Sequence, residues 1–293
     1  MVTDRVIVVS NGRKSVNLTE APFYVDKIRG FDQMKIQNIT TQGYDQDGAS
    51  ILNSYVLPRD LEIRGKIKAD TTRKIQDLRD QLNSLFIPRA DITVMHYYGG
   101  KNRTIKARVE ETPAFDFTEV TTVQSYSILL VAMEPFWTDV DESLAEIANT
   151  VGRFHFPLII PVDTGVIFGL RQTSLIANVY NASAVKVGMR YVFRANGVVV
   201  NPQLFNIKTR QFMKLLCTME AGETITVQTG QEKTITQNKN GLLDDYIGKI
   251  DLAGGGRTFL ELDPGDNLFR CAADEGENML QVKIYHTNCY MGV

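Results

Sequence analysis

Only one stretch of the 293-residue chain keeps a clear helical period over several turns. From Asp70 onward Ile75, Leu78, Leu82, Leu85 and Phe86 recur at three- and four-residue spacing, with Asp70, Thr71 and Thr72 as candidate N-caps and Pro88 just past the end. One helix cannot cover the core of a chain this long, so the rest of the core must come from strands. Directly before the helix, LEIRGKIKA (61–69) shows the other period. Leu61, Ile63, Gly65 and Ile67 alternate with Glu62, Arg64, Lys66 and Lys68, as in a strand with one wet face.

Strand signals fill the remainder of the first half. VIVVS (6–10) and APFYVDKI (21–28) open it, and TQGYDQDGAS (41–50) is a loop with little to bury. ITVMHYYGGKNRTIKARV (92–109) reads as a hairpin turning at GGKN, and SYSILLVAM (125–133) runs into EPFWT, which holds the single tryptophan. Pro135 ends ladder pairing there, and Phe136 and Trp137 are expected to cover the open end of the first core. The competing reading makes Trp137 a ligand platform or an interface anchor.

DVDESLAEIANT (139–150) has the spacing of a short amphipathic helix through Leu144, Ile147 and Ala148, marginal without tertiary support. Beyond it no long helical period returns. AVKVGMRYVF (184–193) and MLQVKIY (279–285) alternate, and ETITVQT (223–229) and EKTITQ (232–237) flank a TGQ turn. The grammar predicts an antiparallel sandwich or jelly roll in this half. The expected division is a first domain over 1–140, a connector over 141–152 and a second domain over 153–293.

Chemistry finds few seats. No run approaches the ~20 apolar residues of a membrane-spanning helix. The first residues lack the pattern of a signal peptide, so synthesis in a cytoplasm is expected. A net charge of −2 with scattered Lys and Arg lacks the basic footprint of a nucleic-acid binder. Cys217, Cys271 and Cys289 form neither a CxxC motif nor an even framework and read as small buried hydrophobes. His96, His155 and His286 make no HExxH or HxH pair and read as surface or core residues, without a metal.

GGGRT (254–258) lacks the P-loop signature and reads as a tight turn or bulge, so no cofactor is expected. Asp244 with Asp245, and Asp139 with Asp141 and Glu142, read as solvated turns more readily than as a glycosidase acid pair. Pro264 and Gly265 in LDPGDN suit the centre of a type II turn. No catalytic residue is predicted.

The order of motifs resembles the distal tail proteins of siphophage-type tails over nearly the whole chain. The resemblance rests on LEIRGKIKA, the helix from Asp70 to Ile87, RTIKARV and MEPFWTD in the first half. In the second it rests on FHFPLIIP (154–161), the run from Gly197 to Thr229, FLELDPGDNLFR (259–270) and the terminal CYMGV. NASAVKVG (181–188) departs where the family carries Asn-x-Gly-Asp.

The resemblance implies a mainly β, non-enzymatic virion protein. Its first domain would be a tail-tube-like split β-barrel or sandwich with one helix, and its second a galectin-like antiparallel β-sandwich. It further implies a ring of six at the virion tail tip through which DNA passes. Partners would be the tail tube protein, a tail-associated lysin or tip protein, and receptor-binding or other baseplate proteins, with no membrane and no sequence-specific nucleic-acid contact. The alternative is a carbohydrate-binding module of the adsorption apparatus, with Tyr180, Tyr191 and Tyr246 as candidate platforms. The polar stretch 37–55, with Tyr44 and Tyr55, is the candidate arm that gains order on assembly.

Overall fold

The computed structural model describes residues 5–116, 122–147, 149–152, 169–172, 176–256 and 258–293; FHFPLIIP and His155 lie outside them. The chain forms two compact units, Met1–Val140 with Cys289–Val293, and Asp141–Asn288. The last five residues, expected with the second domain, thus belong to the first.

The first unit contains β1 (Arg5–Ser10), β2 (Ser15–Asn17), β3 (Phe23–Arg29), β4 (Ile36–Thr41), β5 (Ser50–Val56), β6 (Arg59–Lys68), α1 (Thr72–Leu85), β7 (Asp91–Tyr98), β8 (Lys101–Phe115), β9 (Val123–Ala132) and β10 (Trp137–Asp139). Seven of these strands join in one antiparallel sheet in the order β2-β1-β7-β8-β9-β6-β3, with β10 attached to β8. β6 buries Leu61, Ile63 and Ile67 on its inner face, as its alternation predicts. The Gly99–Gly100 turn joins β7 to β8 with positive φ at both residues, the backbone of a tight two-residue hairpin loop.

Helix α1 starts where the sequence supplies a cap: the Thr71 side chain accepts from the Lys74 N–H. Ile75, Leu82 and Leu85 turn inward and join the core with Phe86. The edge strand β3 carries a register shift between Val25 and Lys27. It faces Arg5, Thr19 and Tyr98 across an unpaired opening of about 460 Å³. Such a bulge discourages pairing with foreign strands.

β4 and β5 form a separate antiparallel pair. The stretch expected to order only on assembly is therefore already a hairpin.

The second unit contains β11 (Ser143–Ile147), β12 (Asn149–Gly152), β13 (Gly169–Gln172), β14 (Ile176–Asn181), β15 (Arg190–Ala195), β16 (Val199–Val200), β17 (Gln203–Asn206), β18 (Phe212–Lys214), β19 (Thr218–Met219), β20 (Thr224–Gln228), β21 (Thr234–Lys239), β22 (Leu242–Asp245), β23 (Gly265–Ala272) and β24 (Leu280–His286). A six-stranded sheet runs β11-β24-β15-β20-β21-β22, and a four-stranded one β14-β23-β17-β18. Tyr191 and Phe193 on β15, Ile225 and Val227 on β20, Val282 and Ile284 on β24, and Phe269 and Cys271 on β23 alternate into the core of this β-sandwich.

The expected short helix at 139–150 is instead strand β11, paired with β24 from Ser143 opposite His286 to Ile147 opposite Val282. A helix of that length has too few internal hydrogen bonds to stand alone, whereas β24 offers a ready ladder. Asp244 and Asp245, expected in a solvated turn, lie on β22. The turn falls earlier, at Asn240–Gly241, again with positive φ at both residues.

Two asparagines hold the loops of the sandwich. Asn181 Nδ2 donates to the carbonyls of Val185 (3.0 Å) and Leu262 (3.1 Å), and its Oδ1 accepts from the Ser183 N–H at 2.9 Å. The side chain thus builds the turn where the sequence departs from Asn-x-Gly-Asp. Asn267, wholly buried, donates to Asp263 O (2.7 Å) and Gly265 O (2.9 Å) and accepts from the Asp263 N–H at 3.0 Å. It closes the Pro264–Gly265 turn, where Gly265 takes φ +85°. Asn267→Ala is expected to destabilise the second unit by about 2–3 kcal/mol, because buried carbonyls lose their donor; chemical denaturation followed by circular dichroism measures it.

Candidate functional site

The EPFWT stretch closes the first unit from within. Trp137 is 0% exposed and its Nε1 donates to Phe31 O at 3.0 Å. The indole packs against the Phe31 ring (centroids 5.2 Å apart) and the His96 ring (6.1 Å). This burial excludes the ligand-platform reading. Pro135 is buried and Phe136 half-buried. Pro135 does not end pairing for good, because the chain resumes a strand at Trp137. There Thr138 pairs with Thr104, and Trp137 and Thr138 pair with Tyr290 and Cys289 of the terminal strand β25 (Cys289–Tyr290).

Sequence reasoning missed the residue that organises this cluster. Arg59, at the start of β6, is 2% exposed. Its Nε donates to Pro135 O at 2.7 Å, one terminal nitrogen donates to Gly30 O and Phe31 O at 2.8 Å each, and the other donates to Met291 O. Burial lowers its proton affinity, and the field of Asp32 partly restores it. Four carbonyls from three remote segments thus solvate one cation. The only signal in the sequence is an arginine where β6 begins its buried alternation.

Gly30 permits this approach. It takes φ +77°, and a Cβ there would collide with Asp60 O. The terminal segment is tied by three further contacts. Arg103 donates to Gly292 O and lies 3.9 Å from the centre of the Tyr290 ring, whose hydroxyl donates to Asp139 Oδ2 at 3.0 Å.

His96 is buried within this cluster, and its Nε2 has no hydrogen-bond partner among the described residues. Burial first, then the positive field of Arg5, pull its pKa down to about 4; Asp32 opposes them and Arg103 adds to them. The imidazole is therefore neutral near pH 7. His286, in the second unit, lies within 3.1 Å of Tyr180 O through Nε2. Among the described residues no group of three or more His, Cys, Asp or Glu side chains is placed to hold a metal ion. Burial pushes the Cys217 and Cys289 thiols up to about 11. Glu142 pairs with Arg190, and Asp139 accepts from Tyr290.

The other predicted residues separate. Tyr44 lies in the loop between β4 and β5, fully exposed, and Tyr55 lies on β5 opposite Gln37. Ile36, Ile39, Ile51 and Leu52 are exposed on the same hairpin. Pro264 and Gly265 stand at the start of β23 in the second unit. Of the tyrosines weighed as sugar platforms, Tyr191 is buried and Tyr180 exposed.

Residues 11–132 match the family model of the phage tail protein RIFT-related domain. No curated protein matches the chain in sequence at a significant level. The crystal structure of SPP1 Dit, described as a paradigm of the hub adsorption apparatus in phages infecting Gram-positive bacteria, is similar with a TM-score of 0.70 at 14% identity, over 97% of this chain and 99% of that one. The phage P2 baseplate in its activated conformation is similar in two structures. With calcium the TM-score is 0.55 at 10% identity, over 100% of both chains. With strontium it is 0.55 at 9%, over 99% of both. At such identities the likeness is one of fold.

The first unit thus carries a phage tail structural domain. The match to a phage tail protein domain covers residues 11–132, and the solved structures share the fold of the whole chain.

Trp137→Ala is expected to cost the first unit about 3–5 kcal/mol through the cavity it leaves. Arg59→Met is expected to cost about 3 kcal/mol by stripping buried carbonyls of a charged donor, and Arg59→Lys to recover only part, since one ammonium cannot match the planar fork. Calorimetric unfolding reads both.

The lowered pKa of His96 sets a pH dependence. An unfolded histidine titrates near ~6.5. Between there and about 4 the unfolded chain binds the extra proton, so stability is full above the upper limit and is lost as pH falls through the window. Urea unfolding followed by the fluorescence of Trp137 at several pH values should show this slope, and His96→Phe should flatten it.

Proposed function

We propose that this protein is the structural hub of a phage tail tip, a ring of six copies joining the tail tube to the tip or lysin protein, with DNA passing through its centre. It acts without catalysis, and receptor-binding or other baseplate proteins attach at its side. The β4–β5 hairpin carries this reading. It exposes Ile36, Ile39, Tyr44, Ile51, Leu52 and Tyr55 and, among the described residues, pairs with no other strand of its unit. An isolated two-stranded hairpin is marginal in water, and an apolar one invites a partner surface. Head-to-tail closure of a ring offers such a surface to every copy.

The base of the hairpin is firm. Leu57 N donates to Lys35 O at 2.9 Å, and the Lys35 ammonium is paired with Asp60. The arm thus projects from a fixed root beside the Arg59 cluster. A net charge of −2 suits a conduit that must release phosphates and not hold them.

Light scattering across a concentration series, with negative-stain imaging, tests the ring. The wild-type chain is expected to assemble alone or with tube protein, and the Ile51→Asp, Leu52→Asp double variant to remain monomeric with unchanged thermal unfolding. A wild-type chain that stays monomeric at every concentration, even with tube protein, would overturn the proposal.

A further inference from the structure

The second unit carries a separate interaction surface on β22. β22 is the last strand of the six-stranded sheet and pairs only with β21, so its outer edge has free N–H and C=O groups among the described residues. All four of its residues are exposed, with Leu242 at 72% and Leu243 at 71%. Successive side chains point to opposite faces, so both faces of this edge present a leucine to water. Ile247 and Leu252 extend the apolar surface along the chain that follows, and both are exposed.

The edge is short and charged but lacks the other usual protections against pairing. It has no proline, no lysine and no register shift. Its charges are Asp244 and Asp245, and neither carboxylate has an ion-pair partner among the described residues. The nearby Lys239 is taken by Glu220 and Glu223.

We propose that the free edge of β22 docks an extended segment of another protein, antiparallel, carrying two basic residues followed by two apolar ones. The register dictates that order. A segment running antiparallel meets Asp245, Asp244, Leu243 and Leu242 in turn, so basic residues come first and apolar ones after. A second copy does not fit. Full-length self-pairing sets Leu242 opposite Asp245 and Leu243 opposite Asp244, and each slip that matches leucines or aspartates keeps fewer pairs or sets like charges together. Main-chain hydrogen bonds supply affinity in this mode and the alternate side chains supply selectivity. The proposal stands independently of ring formation, because the strand belongs to the second unit.

Fluorescence anisotropy with the full chain and labelled six-residue peptides tests it. The probe is acetyl-Thr-Arg-Lys-Val-Ile-Thr-amide, compared with a version carrying two glutamates for the basic pair, a version in reversed order, and one N-methylated at alternate peptide nitrogens. The basic probe is expected to bind about tenfold or more tighter than each of the other three, a difference of roughly 1.4 kcal/mol. Leu243→Asp should lose that binding, and Asp244→Lys should transfer the preference to the glutamate peptide. Both positions are exposed, and circular dichroism confirms that the variants remain folded. Equal binding of basic and acidic peptides, indifference to N-methylation, or no binding up to millimolar peptide would each overturn the proposal.

Discussion

A buried guanidinium with no ion-pair partner among the described residues governs the first unit. Moving a charge out of water is costly unless polar groups replace the lost hydration. Arg59 receives those groups entirely from main chain, in the carbonyls of Gly30, Phe31, Pro135 and Met291. The guanidinium is planar and its donors are fixed in direction, so the acceptors must converge on its fork. Three segments far apart in sequence therefore acquire one common reference. Removal of any of them leaves a cation short of an acceptor in a dry place, which makes their docking cooperative.

That reference orders the parts nearest to the proposed function. Phe31, whose carbonyl accepts from both Arg59 and Trp137, belongs to the short connection between β3 and β4, and β4 begins the exposed arm at Ile36. The arm is thus polar and apolar surface rooted where the Leu57 N–H donates to Lys35 O. The same guanidinium holds the terminal segment, so the chain leaves the first unit after β10 and returns beside it as β25. An inserted second unit joined by two adjacent strands has two covalent connections in place of one.

The mainly β class, the single helix and the inward faces of β6, β15 and β24 were legible because each rests on a period that a core imposes. Trp137 was legible as a core element from its place at the end of an apolar strand. Arg59 was not, since its partners are carbonyls from positions that no local pattern relates. The strand at Ser143–Ile147 was misread as a helix because five residues carry too little period to separate the two, and β24 decided the outcome. Asn181 and Asn267 were hidden for the reason that hid Arg59: a side chain bonding to main chain across a loop leaves no spacing rule behind.

Three of the strands that escaped the sequence share a physical trait. β4, β5 and β22 have essentially no buried face, so nothing in their own unit requires apolar and polar residues to alternate along them. Without that requirement they read as polar loop or solvated turn, although they contain Ile36, Ile39, Ile51, Leu52, Leu242 and Leu243. A strand patterned by its own core shows period two; a strand patterned by another chain shows the period of that chain's surface, which is not written here. Exposed apolar residues on an unalternating strand are thus two expressions of one cause. At β4, β5 and β22 failure of the period rule coincides with the surfaces proposed to meet partners, separately in each unit.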